Sequence, residues 1–497
     1  MNALVPLPMV LPILGAGVSI LLGKWRAAQR VVGLGILTAT TVISIVLLVG
    51  ADRDGPLVVH AGGWAGPVGI TLVVDRLSGI MLCVAEVMLL AVLVYTIGQP
   101  GAERHHVGFQ SIYLLLAAGV AGSFVAGDLF NLFVCFEVML TASYVLLTLG
   151  GSREQLRSGT TYVVISLVAS SLFITALALL YAATGTVNMA DLAGKIGALP
   201  AGVRQAFAVL LVVVFGVKAA LFPLGSWLPD SYPVAPSPVT AVFAGLLTKV
   251  GVYALLRSQT LFFPEGSRPV TLLLCAAGLT MVLGILGAIA QDDIKRILSF
   301  NIVSHIGFMV MGLAFFSVAG LSAAIYYAVH HILAMTTLFL VAGLIEHVGG
   351  TTQMGSLGNM VRSAPALAVM FIVPALGLAG VPPLSGFVAK FALIDAGFGQ
   401  GRYVIIALSL VASLLTLLSV MKIWIAVFWG GVAPQRDGLV ATRAGRAGGP
   451  PLMVVPTVLL LLGGIALAVA AGPLLRLCDR AASDLLHPAA YIQALLG

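Results

Sequence analysis

The chain has 497 residues, of which 60% are hydrophobic and only 9% charged. Soluble proteins carry about 25% charged residues, and a mean hydropathy of +1.11 is more apolar than any single soluble core requires, so the composition indicates one large polytopic membrane protein. The net charge of +7 is spread thinly over short loops with no basic run, which excludes a nucleic-acid partner and leaves the lipid bilayer as the surroundings.

The chain opens MNALVPLPMVLPILGAGVSILLG, which has no basic start and reads as a first span, not a signal peptide. Apolar runs of near 20 residues, the length a bilayer needs, are expected as fourteen spans at 2–22, 30–50, 71–97, 109–127, 129–150, 159–183, 206–228, 237–257, 270–290, 297–317, 320–345, 365–396, 403–429 and 453–472. An amphipathic tail, LLRLCDRAASDLLHPAAYIQALLG, closes the chain. Loops after odd spans hold twelve Lys and Arg against nine on the other side. The positive-inside bias therefore puts the odd loops in the cytoplasm and both termini outside, in a bacterial inner membrane. Cys83, Cys135, Cys275 and Cys478 are scattered without metal or disulfide spacing, and no cofactor motif appears.

Several spans carry ionisable residues. The third has Glu86 in LCVAEVMLL. The fifth has Glu137 in NLFVCFEVMLTASY, with Thr141 and Tyr144 at i+4 and i+7, a polar stripe on one face. The seventh has Lys218, the eighth Lys249, the tenth His305, the eleventh His330 and His331, the twelfth Lys390 and the thirteenth Lys422. Left facing lipid, Glu137, Lys218, Lys249 and Lys390 together would cost on the order of 10 kcal/mol, comparable to a domain's whole stability. They must pair, face the protein interior or touch water. Each also has a purely structural reading. Lys422, beside tryptophans near its span's end, fits snorkelling. Glu86 fits a structural hydrogen bond as well as a transport role, and membrane histidines are commonly packed, hydrogen-bonded groups. Adjacent histidines cannot share one helix face, so at most one of His330 and His331 points into a given path, and no third ligand completes a metal site.

Two spans are interrupted. In VFGVKAALFPLGSWLPDSYPVAPSPV, Lys218 stands five residues before Pro223. In LGLAGVPPLSGFVAKFALI, Pro382, Pro383 and Gly386 precede Lys390. Proline removes a backbone donor and clashes with the preceding turn, and irregular backbone at membrane depth needs protein or water to satisfy it. Broken helices in corresponding positions suggest two repeats with sites at the breaks. The fold class expected is all-α, about fourteen transmembrane helices with two inverted five-helix repeats. The divisions are 1–108 (first three helices), 109–429 (core, with repeats 109–257 and 270–429) and 430–497 (cytoplasmic loop, last helix and tail).

GDLFNLFVCFEVMLTASYVLL, FGVKAALFPLGSWLPDSYPVAPSPVTAVFAGLLTKVGVYALLR, QDDIKRILSFNIVSHIGFM and PPLSGFVAKF together resemble the antiporter-like subunits shared by respiratory NADH:quinone oxidoreductase and the Mrp-type cation/proton antiporter, over residues 70–425. The NLFVxFEV wording, the length and the lysine in the second broken helix are most similar to the D-type subunits of the Mrp family. The resemblance implies Glu137 as carboxylate partner of Lys218, Lys249 as the central lysine between two half-channels, Lys390 as the exit-side lysine, and His305 and His330 as matching histidines. It implies a secondary-active transporter subunit, not an enzyme, moving protons and monovalent cations beside a larger homologous subunit and small membrane subunits. Relatives often carry a lysine near Met335; methionine holds no proton, so the relay here runs through His330 or His331, or by a wetter route. Burial favours a neutral amine and a nearby carboxylate favours the ammonium, so opening and closing the Glu137–Lys218 pair switches a proton on or off. The alternatives are a proton-pumping subunit of a respiratory or hydrogenase complex, and a non-conducting scaffold.

Overall fold

The computed structural model describes residues 1–99, 108–431 and 449–497. Arg104 and the loop arginines Arg436, Arg443 and Arg446, which enter the orientation argument, lie outside the described residues. Among those described, twelve helices are long and apolar enough to cross a membrane, and Phe109–Val125 and Pro365–Ala379 are shorter apolar helices. These occupy the fourteen expected positions.

Helices α1 (Leu7–Leu21) and α2 (Arg26–Asp54) are joined by a turn in which Gln29 Nε2 donates to the carbonyls of Ser19 and Gly23. An antiparallel hairpin follows, β1 (Leu57–His60) on β2 (Thr71–Val74). The third span was expected from residue 71. Helix α3 (Arg76–Gly98) instead starts at Arg76, because Asp75 and Ser78 form a reciprocal capping box and the β-branched run before them pairs as a strand.

The first repeat comprises α4 (Phe109–Val125), α5 (Leu129–Thr148), α6 (Arg153–Thr184), a short α7 (Met189–Gly197), α8 (Ala201–Ala219), α9 (Trp227–Ser231), and a long span built from α10 (Ser237–Val242), a π turn (Phe243–Leu247) and α11 (Thr248–Leu261). The second comprises α12 (Val270–Ile289), α13 (Ile294–Ala314), α14 (Val318–Gly349), a short α15 (Met360–Ser363), the halves α16 (Pro365–Ala379) and α17 (Ser385–Phe398), and α18 (Tyr403–Trp424), which ends in a second π turn at Ile425–Trp429.

The two copies share devices at matching places. Asp128 caps α5 by accepting from Asn131 N, and Asp293 caps α13 by accepting from Arg296 N. Asp128 forms a β-bridge with Asn188, and Asp293 with Gln353 at the same chain separation. The breaks follow a left-handed residue in each copy, Ala220 at φ 60° and Gly380 at φ 89°. With five spans per copy, the second enters the membrane from the side opposite to the first.

Burial is graded. The most apolar windows of Ser237–Leu261 and Val318–Gly349 are 100% buried within the protein and that of Ile294–Ala314 is 94% buried, whereas Pro451–Val469 is only 22% buried. The three sheathed spans are those that carry Lys249, His305, His330 and His331. Apolar surface on the outer helices faces hydrocarbon, so the polar groups are removed from lipid by position in the bundle.

After α19 (Pro451–Val469), the tail forms α20 (Ala471–Leu486) and α21 (Ala489–Leu496). Helix α20 buries Cys478, Ala481, Ala482 and Leu485, the apolar face of the expected amphipathic helix. Its polar face is tied down by ions: Arg480 pairs with Asp52 at 2.7 Å, and Arg76 bridges Asp52 and Asp484 at 2.8 and 2.7 Å. Arg257 on α11 is buried against Asp75 at 2.6 Å with the Tyr491 ring 4.9 Å away.

Candidate functional site

Glu137 lies on α5, half-buried, and its carboxylate accepts the hydroxyl of Ser170 on α6. Thr141 at i+4 is exposed and Tyr144 at i+7 partly buried, and the hydrogen-bond partner of Glu137 comes from the neighbouring helix. Lys218 sits one residue before the end of α8. Its ammonium makes no hydrogen bond or ion pair within 4 Å among the described residues, yet it is within electrostatic reach of Glu137. It lines a small cavity of about 20 Å³ with Tyr162, Ser166 and Trp227. The helix break builds this place: Ala220 turns left-handed, Leu221 N returns to Gly216 O, and Trp227 Nε1 donates to Val217 O at 3.1 Å. Glu137 and Lys218 are therefore neighbours held apart, an open pair.

Lys249 is fully buried at the start of α11. Its Nζ donates to the Ala244 carbonyl at 2.6 Å and to Thr248 Oγ1 at 3.2 Å. Ala244 belongs to the π turn. Such a turn widens the helix and redirects its carbonyls, which here lets a side chain take one as an acceptor. A lysine at this depth thus has neutral oxygen partners and no counter-ion among the described residues.

From Lys249 the buried polar groups continue into the second repeat. The rings of His331 on α14 and His305 on α13 lie 5.2 Å apart between centroids. His331 is within electrostatic reach of Lys249, His305, His330 and Lys390. His305 Nδ1 lies 2.6 Å from the Tyr327 hydroxyl. Both ring nitrogens of His331 and Nε2 of His305 lack a hydrogen-bond partner among the described residues. Buried polar atoms are normally satisfied, so these three mark positions for bridging water.

His330 points elsewhere, its Nδ1 2.9 Å from Ser385 Oγ at the head of α17. Lys390 on α17 donates to the Ala379 carbonyl at 3.0 Å, and its Nζ stands 4.9 Å from the centre of the Phe308 ring. Two glycines make this approach possible. A Cβ on Gly380 would meet Lys390 Cδ at 2.8 Å, and one on Gly386 would meet the Gly377 carbonyl at 1.8 Å and His330 Nε2 at 2.8 Å. The proline pair Pro382-Pro383 separates α16 from α17, as Pro223 lies between α8 and α9.

His331 and His305 are thus buried within electrostatic reach of both Lys249 and Lys390, and His330 is bonded to Ser385 nearby. Glu137 and Lys218 form a separate cluster in the first repeat. Ser170, Tyr327 and Ser385 escaped sequence reasoning. The pair Ser170-Ser171 in an apolar span and the tyrosine in YYAVHH were the available signals. Lys422 lies apart from these groups: its ammonium reaches the end of α12, bonding the carbonyls of Ile289 and Gln291 and pairing with Asp292 at 2.9 Å.

Residues 126–416 match the family described as NADH:quinone oxidoreductase/Mrp antiporter, TM. Over the full length of both chains, the protein is 44% identical to the D-type subunit of the Na(+)/H(+) antiporter of Alkalihalophilus pseudofirmus and 36% identical to that of Bacillus subtilis. A solved structure of the Mrp complex from Dietzia sp. contains a chain that superposes with a TM-score of 0.90 at 32% identity, covering 100% of this chain and 99% of that one. The match spans more than half the chain, so the chain belongs to the NADH:quinone oxidoreductase/Mrp antiporter transmembrane family.

Proposed function

We propose that this protein is an ion-translocating subunit of a multisubunit cation (Na+)/proton antiporter, in which protons move through the Glu137–Lys218 pair and the path Lys249, His331, His305, Lys390, with His330 at its end. The observation that carries this reading is that Lys249, His305, His330 and His331 sit on the three spans most shielded from lipid, with Lys390 within electrostatic reach of the histidines. A static scaffold would pair its charges. Lys218 instead stands unpaired among the described residues, within reach of a carboxylate, and Lys249 is held by neutral oxygens. The full-length relatives named as antiporter subunits favour exchange over a respiratory role. A chain of an archaeal respiratory membrane complex, the sulfane sulfur reductase, has the same fold at 26% identity and a TM-score of 0.87, and it keeps proton pumping beside a redox module as the second reading.

The proton leaves an ammonium when its partners withdraw and returns when a carboxylate or water approaches. Moving one charge against 100 mV takes about 2.3 kcal/mol, within what opening and closing one charge pair at short range provides. Residues 109–429 form the translocating core, with 1–108 and 430–497 flanking it. Both termini face outside a bacterial inner membrane, and the partners are a larger homologous subunit and small membrane subunits of the complex. A membrane-impermeant thiol reagent tests the orientation: a cysteine introduced between residues 431 and 451 resists labelling in intact cells, and ready labelling overturns the assignment. Lys390→Ala tests the function. Cation/proton exchange in vesicles is lost while native gels show an assembled complex; wild-type exchange from that complex removes Lys390 from the path.

A further inference from the structure

We infer that Glu86 and Thr40 form a proton-binding site among the N-terminal helices, separate from the relay and occupied by a proton at neutral pH. Glu86, on α3, is 0% exposed. Its Oε2 lies 2.6 Å from Thr40 Oγ1 on α2, and its Oε1 has no hydrogen-bond partner among the described residues. No cation among the described residues acts on it. The titratable groups its charge reaches are Cys83 on its own helix and Tyr113 on α4, and neither carries positive charge. A charged carboxylate is strongly disfavoured in so apolar a place without a cation beside it, and groups so placed neutralise instead.

The hydrogen bonds give an independent argument. Thr40 has one hydroxyl proton and two oxygen neighbours, Glu86 Oε2 and the Leu37 carbonyl at 3.2 Å. An ionised Glu86 would take that proton, leaving Leu37 to the Thr41 hydroxyl at 2.6 Å, and its second oxygen would still have no donor among the described residues. A protonated Glu86 donates its O–H to Thr40 Oγ1, and Thr40 donates onward to Leu37, so both contacts are satisfied at once. The other nearby hydroxyls are committed: Ser44 donates to the Thr40 carbonyl at 2.7 Å and Tyr113 to the Leu89 carbonyl at 2.7 Å. No further donor is available to a charged form among the described residues. A bare metal cation needs a shell of oxygens, and here one carboxyl and one hydroxyl converge, so the ligand is H+.

The site stands off the relay line. Met88, two residues on, lies against the π turn of the Lys249 span, where a Cβ on Gly245 would meet its Cε at 3.1 Å. Residues i and i+2 on a helix do not share a face, and Glu86 turns to α2.

Infrared spectroscopy of the assembled complex tests this. At neutral pH, Glu86→Gln removes a protonated-acid carbonyl band that exchange into deuterium oxide shifts. Thr40→Val, which removes the acceptor, moves the same band to higher frequency. Loss of a carboxylate band in Glu86→Gln, or an unchanged spectrum, overturns the inference. Should Glu86→Gln fail to assemble, Thr40→Val decides: an unmoved acid band overturns the site and a shifted one supports it.

Discussion

Replacing Glu137 by Gln removes one negative charge and little else. The amide oxygen can still accept the Ser170 hydroxyl, and the shape is nearly unchanged. Lys218 loses the one charge that supports its ammonium, since it has no other hydrogen bond or ion pair among the described residues. The two groups are beyond 4 Å. At roughly 6 Å and an effective dielectric of about 20, their attraction is about 3 kcal/mol, on the order of a hundredfold in the ratio of ammonium to amine. A lysine left neutral for that much of its cycle cannot take up protons at the working rate. The expected order of exchange per assembled complex is wild type, then Glu137→Asp, then Glu137→Gln, because Asp keeps the charge but shortens the reach by one methylene. Exchange is read as cation-driven pH change in inverted vesicles, with assembly read on native gels. Equal exchange from Gln and Glu would refute the pair and make the carboxylate a packed polar group.

The direction of each histidine makes a second prediction: His331→Ala lowers exchange most, His330→Ala less and Met335→Ala least, and a Met335→Ala variant that is the most damaged of the three contradicts the path. The buried ion pair makes a third, on stability. Asp75→Asn keeps the helix cap but strands the Arg257 guanidinium, which is 4% exposed, at a cost of about 3–5 kcal/mol, so the detergent-purified complex melts at a lower temperature, and an unshifted melt refutes the pairing.

The spans were legible because a bilayer demands long apolar runs and the chain supplies them. The two breaks were legible because Pro223 and Pro382-Pro383 cannot continue a helix. The charged residues stood out against their surroundings. What stayed hidden depends on contacts between helices. The π turn at Phe243–Leu247 has no sequence mark, yet it provides the Ala244 carbonyl for Lys249. Adjacency showed that His330 and His331 diverge; only packing assigns His331 to His305 and His330 to Ser385. Lys218 was expected beside Glu137, whereas the Ser170 hydrogen bond to Glu137 shows only in the packing of α5 on α6. The hydrophobic run before α3 read as membrane-spanning, but a strand partner at Leu57–His60 claims it. The tail's amphipathic face was plain, and its ion-pair anchorage to Asp52 and Arg76 was beyond any local pattern.

The central claim is that one proton path joins the two repeats through Lys249, and Lys249→Met tests it most directly. Methionine fills the buried volume without a titratable group, and the Ala244 carbonyl loses one donor at modest cost. Measured per assembled complex in vesicles, exchange should fall to background while the complex remains intact and the Glu137 and Lys390 ends are untouched. Wild-type exchange from intact Lys249→Met complexes would contradict the account, because a path that survives loss of its central charged group between the halves does not run through them.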